Sequence, residues 1–445
     1  MAIVITEKLS QNRSYFEREI SDANNKIVSL LNLHTTCVKT DDGNKYVLYK
    51  LNLKINRPVY KYVNTHLNSN NSKIAAVKSL RLFFLYLELW NLKIEDFILD
   101  DDVRNLVSFL KGNSLKGTHK LNLIKQRSNG TVNNYMAYII DFIKYCKIKD
   151  SALLETKVVM ILNEVGSLKR VQISKSKLKD SLPNEVPAYI SATEYKSILE
   201  LIRREYTIRE ELFVRLMYQL GLRIGEVLGL TFDDVGYVTR SGERLGILLL
   251  RNRFTDSEHQ YCKNLMSIKK RSDYKDRQYS QLNFGYTEMP LHNKLIEKID
   301  NYIETAHLDA IRKNKKKYYE KNNADIVNPR LGNTNKTNHY IFIGKNGAPI
   351  SYSKWNNILR EIYMKVGIEI DFGNRKNNVS HRLRHGFAMY HYIKKNISPP
   401  LLKKYMRHRN INSVFCYFRL TSSDLAGLKE SYEDFLFEEF DISLE

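Results

Sequence analysis

Two arginines, two histidines and a tyrosine in this sequence have the types and spacing to act on one anionic group. His381 and Arg384 are three residues apart, so on a helix they share a face and reach one ligand together. Arg384 offers a planar fork of donors matched to a phosphate, which a lysine meets only as a point charge. Pro399 and Pro400 stop the helix carrying that pair near Ser398 and open a new one. His408 and Tyr417 follow, nine positions apart, on short helical pieces folded back on the first. Arg223 lies far upstream, just after an apolar run, with Glu226 three residues on. An arginine there is costly unless it is paired or faces a ligand, and an internal Arg223–Glu226 bridge and a phosphate contact both satisfy that demand.

Together these side chains are the parts for attacking a phosphodiester with a protein hydroxyl. DNA has no 2′-hydroxyl, so breaking its backbone takes water, a metal or a protein nucleophile. The four cysteines (Cys37, Cys146, Cys262, Cys416) lack metal-ligand spacing and no HExxH occurs, so neither a metal nor another cofactor is expected. A tyrosine nucleophile keeps the bond energy in a phosphotyrosyl ester, which permits rejoining. A free phenol has a pKa near 10, so full deprotonation at neutral pH costs roughly 4 kcal/mol. Surrounding cations lower that cost and stabilise the extra charge on the pentacoordinate phosphate. The chain holds 29 tyrosines, so Tyr405 and Tyr432 stand as decoys beside Tyr417.

The elements that must position these residues read as mainly α with small β-sheets, an α+β chain. At 445 residues two or three domains are the natural division. Residues 1–56 read as an appendage, a helix over 11–33 followed by a hairpin over 35–56 turning at Asp41–Asn44. Residues 57–170 read as a helical domain, with Val77, Leu80, Phe84 and Leu87, then Val132, Tyr135, Ile139 and Phe142, at helical spacing. Further helices are expected near 101–111 and 152–165, and the connection over 111–130 is basic and glycine-punctuated. Residues 171–187 have the composition of a basic linker. The mixed domain over 188–420 opens with Ser191 as N-cap and Glu194 at the capping-box position. Strands follow near 244–253, 286–291 and 340, with a long lysine-bearing excursion over 254–284. Helices are expected over 292–321 and 353–367. The 421–445 tail is acidic, with Leu425, Leu428, Tyr432 and Phe435 on one helical stripe.

A formal charge of +22 points to a polyanionic partner, most simply nucleic acid. An AT-rich genome explains part of that basicity without any function. No apolar run is long enough to span a bilayer, and no signal peptide or lipidation motif is present, which argues against a membrane-surface protein.

Three segments carry a family resemblance. GLRIGEVLGLTFDDV, HRLRHGFA and LLKKYMRHRNINSVFCYF, in that order, resemble the signature boxes of the tyrosine recombinases, the phage-integrase family. YIFIGKNGAPISYSKWNNILREIYMKVGI resembles the strand-turn-helix leading into the second box. The likeness covers about 188–420, and the helical segment before it resembles the family's core-binding domain in position and type. It implies that Arg223 and Arg384 clamp the scissile phosphate, with His381 as general acid/base and His408 as hydrogen-bond donor to it. Tyr417 would form a 3′-phosphotyrosyl intermediate, with Glu226 and His385 in support. The family also uses a lysine on a hairpin after the first box as general acid. Lys263 is the first choice, with Lys269 and Lys270 as rivals. Arg407 stands where the family has glycine before the second histidine, and Gly386 stands where threonine is common.

The resemblance further implies double-stranded DNA with specific recombination sites as partner, a homo-tetramer on that DNA with the acidic tail docking on a neighbour, and accessory DNA-bending or directionality proteins. No membrane is implied; the expected setting is the bacterial cytoplasm, at the nucleoid when active. The N-terminal extension and enlarged hairpin favour an integrase or transposase of a mobile element over a chromosome-dimer resolvase. A type IB topoisomerase and a non-catalytic DNA-binding protein are the alternatives.

Overall fold

The computed structural model describes residues 2–417 apart from 11–12, 22–25, 32, 41–42, 51–52, 68, 113–118, 123–125, 163–167, 180–186, 281–283, 328–336 and 371–378. The acidic 421–445 tail, with its expected helix, lies outside the described residues. The chain divides into two compact units, Met1–Leu182 and Pro183–Glu445. It is mainly helical with small sheets, as the sequence pattern predicts.

The first unit is built on three helices, Asn70–Leu89, Asp100–Lys111 and Asn129–Tyr145. Ser69 and Ser128 cap two of them by accepting from the backbone N–H groups of Ser72 (3.0 Å) and Thr131 (3.3 Å). Gly112 ends the second in the left-handed conformation. The predicted stripe is buried at Val77, Leu80 and Leu87 on one helix and Val132, Ile139 and Phe142 on another.

Three expectations fail here. Residues 11–33 form no helix: Arg13–Ser21 and Lys26–Leu31 are strands of a four-stranded sheet with Ala2–Ser10 and His119–Asn122. Phe16 buries with Ile5, Leu33 and Leu48 in the same core as the helices. Residues 1–56 therefore share that core rather than hanging beside it. The expected 152–165 helix is instead a short 3₁₀ turn followed by the hairpin Thr156–Leu162 and Leu168–Ser174. The β-branched run Val158, Val159 and Ile161 explains that outcome, because branching at Cβ suits a strand. The hairpin Leu33–Thr40 and Gly43–Lys50 is present, closing at Thr40 opposite Gly43. Much of the stretch read as linker is also engaged, since Asn133 exchanges hydrogen bonds with the Leu178 backbone at 2.9 and 3.0 Å.

In the second unit the helix Ile208–Gln219 runs through the core, where Phe213 stacks on Trp355 at 4.3 Å. The Ser191–Glu194 capping box forms as predicted: the Ser191 N–H donates to Glu194 Oε2 (2.7 Å) and the Glu194 N–H to Ser191 Oγ (3.2 Å). Val235–Arg240, Glu243–Arg251 and Tyr286–Pro290 make an antiparallel sheet with Glu243–Arg251 in the centre. The helices Tyr352–Val366, Val379–Lys395 and Pro399–Tyr405 complete the unit, with Ser398 as N-cap and Pro399 opening the last.

Candidate active site

Arg223 sits where the apolar helix turns into the short Ile224–Leu228 helix, and it is the N-cap residue. Its backbone N–H donates to Glu226 Oε2 (2.7 Å) and its Nη1 to Glu226 Oε1 (2.8 Å). One carboxylate thus caps the helix and aims the guanidinium. Glu226 is buried and shared, for Arg407 Nη2 donates to it at 2.8 Å and Arg384 Nη1 lies 4.0 Å away. Burial pushes this carboxyl up, and Arg407, Arg384 and Arg223 more than reverse the effect, bringing it down to about 2. Three guanidinium groups against one carboxylate leave surplus positive charge, the electrostatic setting a phosphate requires.

Arg384 is 2% exposed on the Val379–Lys395 helix. Its Nη1 donates to the Gly221 carbonyl and its Nη2 to the Met406 carbonyl, which fix the plane of the fork. Burial pushes it down to about 9, still protonated at neutral pH. His381 lies one turn earlier; burial, then Arg384, Lys263 and Arg223, bring it down to about 4. His408 is likewise brought to about 4, by burial and then by Arg384, Arg223 and Arg407. Both are neutral at pH 7.

Tyr417 ends the short turn Phe415–Tyr417 and packs into a cluster with Phe387, Leu402, Met406 and Val414. It is 3% exposed, and its hydroxyl lies 2.9 Å from His385 Nδ1. Burial and Cys416 push the phenol up, while Arg384 and Arg223 pull it down. The tyrosine therefore feels both arginines. Tyr405, by contrast, is exposed, and its ring meets His391.

The excursion after the central strand brings Lys263 toward the same place. Gly225 and Gly229 make this possible, since a Cβ on either would stand 2.7 Å from the Tyr261 carbonyl or 2.5 Å from the Gln260 carbonyl. Buried Asn252 then pins the loop: its Nδ2 donates to the carbonyls of Cys262 (3.1 Å) and Met266 (3.0 Å), and its Oδ1 accepts from the Cys262 N–H (2.6 Å). Asn264 Nδ2 donates to the Arg407 carbonyl at 2.9 Å. Lys263 is exposed between these anchors, and its charge is among those felt by His381. Lys269 and Lys270 instead donate their backbone N–H groups to the Asp273 carboxylate at the start of another turn.

The two departures from the family pattern have structural counterparts. Arg407 adopts φ +50, so the left-handed turn that favours glycine is kept by an arginine at a cost of about 1–2 kcal/mol. Gly386 leaves room for the Ile190 carbonyl, which would stand 2.4 Å from an added Cβ. Sequence reasoning missed Asn252, Asn264 and the pairing of Arg407 with Glu226. The one available signal was a cation at a position expecting glycine.

Residues 286–423 match the phage integrase family model. The likeness is to the tyrosine recombinases. It is 22% identical over 255 residues to the tyrosine recombinase XerA of Pyrococcus furiosus, covering 57% of this chain and 63% of that relative. Transposase A of transposon Tn554 from Staphylococcus aureus is 23% identical over 406 residues, covering 87% of this chain and 94% of its own. Among solved structures, the Tn1549 transposon integrase in complex with transposon right end DNA is similar with a TM-score of 0.48 and 17% identity, over 85% of this chain and 98% of that one. The family match takes in the second and third boxes, with His381, Arg384, His408 and Tyr417, while Arg223 and Lys263 lie before it. Among the described residues no helix is long and apolar enough to cross a membrane.

Proposed function

We propose that this chain recombines DNA at specific sites of a mobile element through a 3′-phosphotyrosyl intermediate on Tyr417. Arg223 and Arg384 grip the non-bridging oxygens of the scissile phosphate. The Tyr417 oxygen attacks phosphorus as its proton passes to a neutral histidine, His381 by family role or His385 by its hydrogen bond. The bond from phosphorus to O5′ breaks, and Lys263 supplies the proton that completes the 5′-hydroxyl. Attack by the 5′-hydroxyl of a second strand reverses each step and returns the protons, so joining needs no high-energy cofactor. His408 donates to the phosphate as charge builds.

The single observation that carries this reading is that two arginines from different boxes converge on one buried carboxylate while the tyrosine lies within their field. The similarity to a transposase over most of both chains supports a mobile element as the setting. In this reading four subunits act on paired sites and the 421–445 tail docks on a neighbour.

A duplex nicked beside the scissile phosphate traps the intermediate, because the short 5′-hydroxyl fragment diffuses away. With a duplex carrying the element's ends, the wild-type chain is expected to form a covalent adduct. Tyr417→Phe is expected to bind the same DNA and form none. An undiminished adduct in Tyr417→Phe would remove the assignment.

A further inference from the structure

Arg407 bonds to groups around both Arg223 and the loop that carries Lys263. Its Nη2 donates to Glu226 Oε2 at 2.8 Å and to the Gly221 carbonyl at 3.0 Å. Gly221 also receives Arg384, and Glu226 holds Arg223. The Arg407 carbonyl accepts from Arg223 Nη2 at 3.4 Å and from Asn264 Nδ2 at 2.9 Å, beside Lys263. The residue stands in a left-handed turn that glycine would occupy without strain, and it precedes His408. The backbone shape of this turn therefore gives no reason for an arginine, whereas the side chain makes contacts that glycine would lack.

We infer that Arg407 is a positioning residue that locks the Arg223–Glu226 pair to the loop carrying Lys263, so that the phosphate clamp and the leaving-group acid are held in one register. This rests on the proposed transesterification. With the guanidinium in place, residue 407 cannot pivot, and Asn264 keeps its acceptor at a fixed point. Without it, the turn is free to shift, the Asn264 contact loosens, and Lys263 loses its aim at O5′. Displacements of about 1 Å at a reacting centre cost roughly a hundredfold in rate.

Arg407→Gly separates the two roles, since it relaxes the backbone and removes only the side chain. Single-turnover cleavage is measured on the nicked duplex and on one with sulfur in place of the bridging 5′-oxygen. A thiolate leaves without a general acid, because thiol pKa values lie near 8.5. The expected result is about a hundredfold loss on the oxygen substrate and less than about fivefold on the sulfur substrate, with DNA affinity unchanged. Lys263→Ala is expected to show the same rescue, and Arg407→Lys an intermediate loss. Wild-type rate on oxygen, or equal losses on both substrates, overturns the inference. Hydrogen exchange is the readout independent of cleavage: residues 261–266 are expected to exchange faster in Arg407→Gly than in wild type, with 352–366 unchanged. Unaltered exchange at 261–266, or unfolding of both Arg407 variants, overturns it as well. A wild-type chain that forms no adduct counts against the proposed function alone, and the exchange result still decides this one.

Discussion

Arg384 shows how much one side chain is asked to do. It is almost wholly buried, its two terminal nitrogens are occupied by the Gly221 and Met406 carbonyls, and it faces Glu226 at 4.0 Å. A lysine at this position keeps the charge but cannot meet two carbonyls and a phosphate in one plane. Arg384→Lys is therefore expected to bind DNA with near-wild-type affinity while adduct formation slows by about 10²–10³-fold. Gel-shift titration and single-turnover cleavage on the same duplex separate the two. Equal losses in binding and cleavage would mean that Arg384 serves general DNA affinity instead.

At the scale of elements, the excursion between the central and edge strands is the part least like a simple hairpin, and the chain spends buried polar groups to hold it. Asn252, with no exposed surface, bonds both sides of the Cys262–Met266 turn. Asn252→Ala strands those backbone groups, at about 2–3 kcal/mol. It is expected to lower the urea midpoint and to slow cleavage by a larger factor than it weakens DNA binding; denaturation and cleavage curves on one preparation check both. Cleavage at the wild-type rate would show that the turn does not set Lys263.

The boxes were legible because their chemistry depends on local spacing: three residues from His381 to Arg384, three from Arg223 to Glu226, nine from His408 to Tyr417. The helices Ala192–Glu205 and Tyr352–Val366 were legible because each carries an apolar stripe and a serine cap. The N-terminal strands were not, because short apolar runs such as that around Phe16 fit either period until a partner strand is known. The 156–174 hairpin was misread for the same reason. The Arg407–Glu226 pair spans most of the second unit in sequence, and no local pattern announces such a contact. The close approach of the 259–261 backbone to Gly225 likewise had no local signal.

For the whole molecule, the buried site ties stability to pH. His381, His385 and His408 fall to about 4, 3 and 4 from an ordinary 6.5, chiefly through burial. Between those values the unfolded chain holds more protons than the folded one, so stability rises with pH up to about 6.5 and is level above it. Glu226, at about 2 against 4.5, adds the same sign at lower pH. In a Trp90→Phe background, buried Trp355 is the sole tryptophan and reports the second unit. Its unfolding temperature is expected to fall by roughly 5 °C or more from pH 7.5 to pH 5. An unfolding temperature that does not fall would contradict neutral buried histidines.

The central claim is that a protein oxygen becomes the ester that carries the broken strand, and that this oxygen belongs to Tyr417. Its most direct test is to digest the trapped protein–DNA adduct with protease and nuclease and sequence the nucleotide-bearing peptide by mass spectrometry. One modified peptide is expected, with the nucleotide on Tyr417 through its 3′-phosphate. A nucleotide on Tyr405 or any other residue, or a 5′-linked nucleotide, would contradict it.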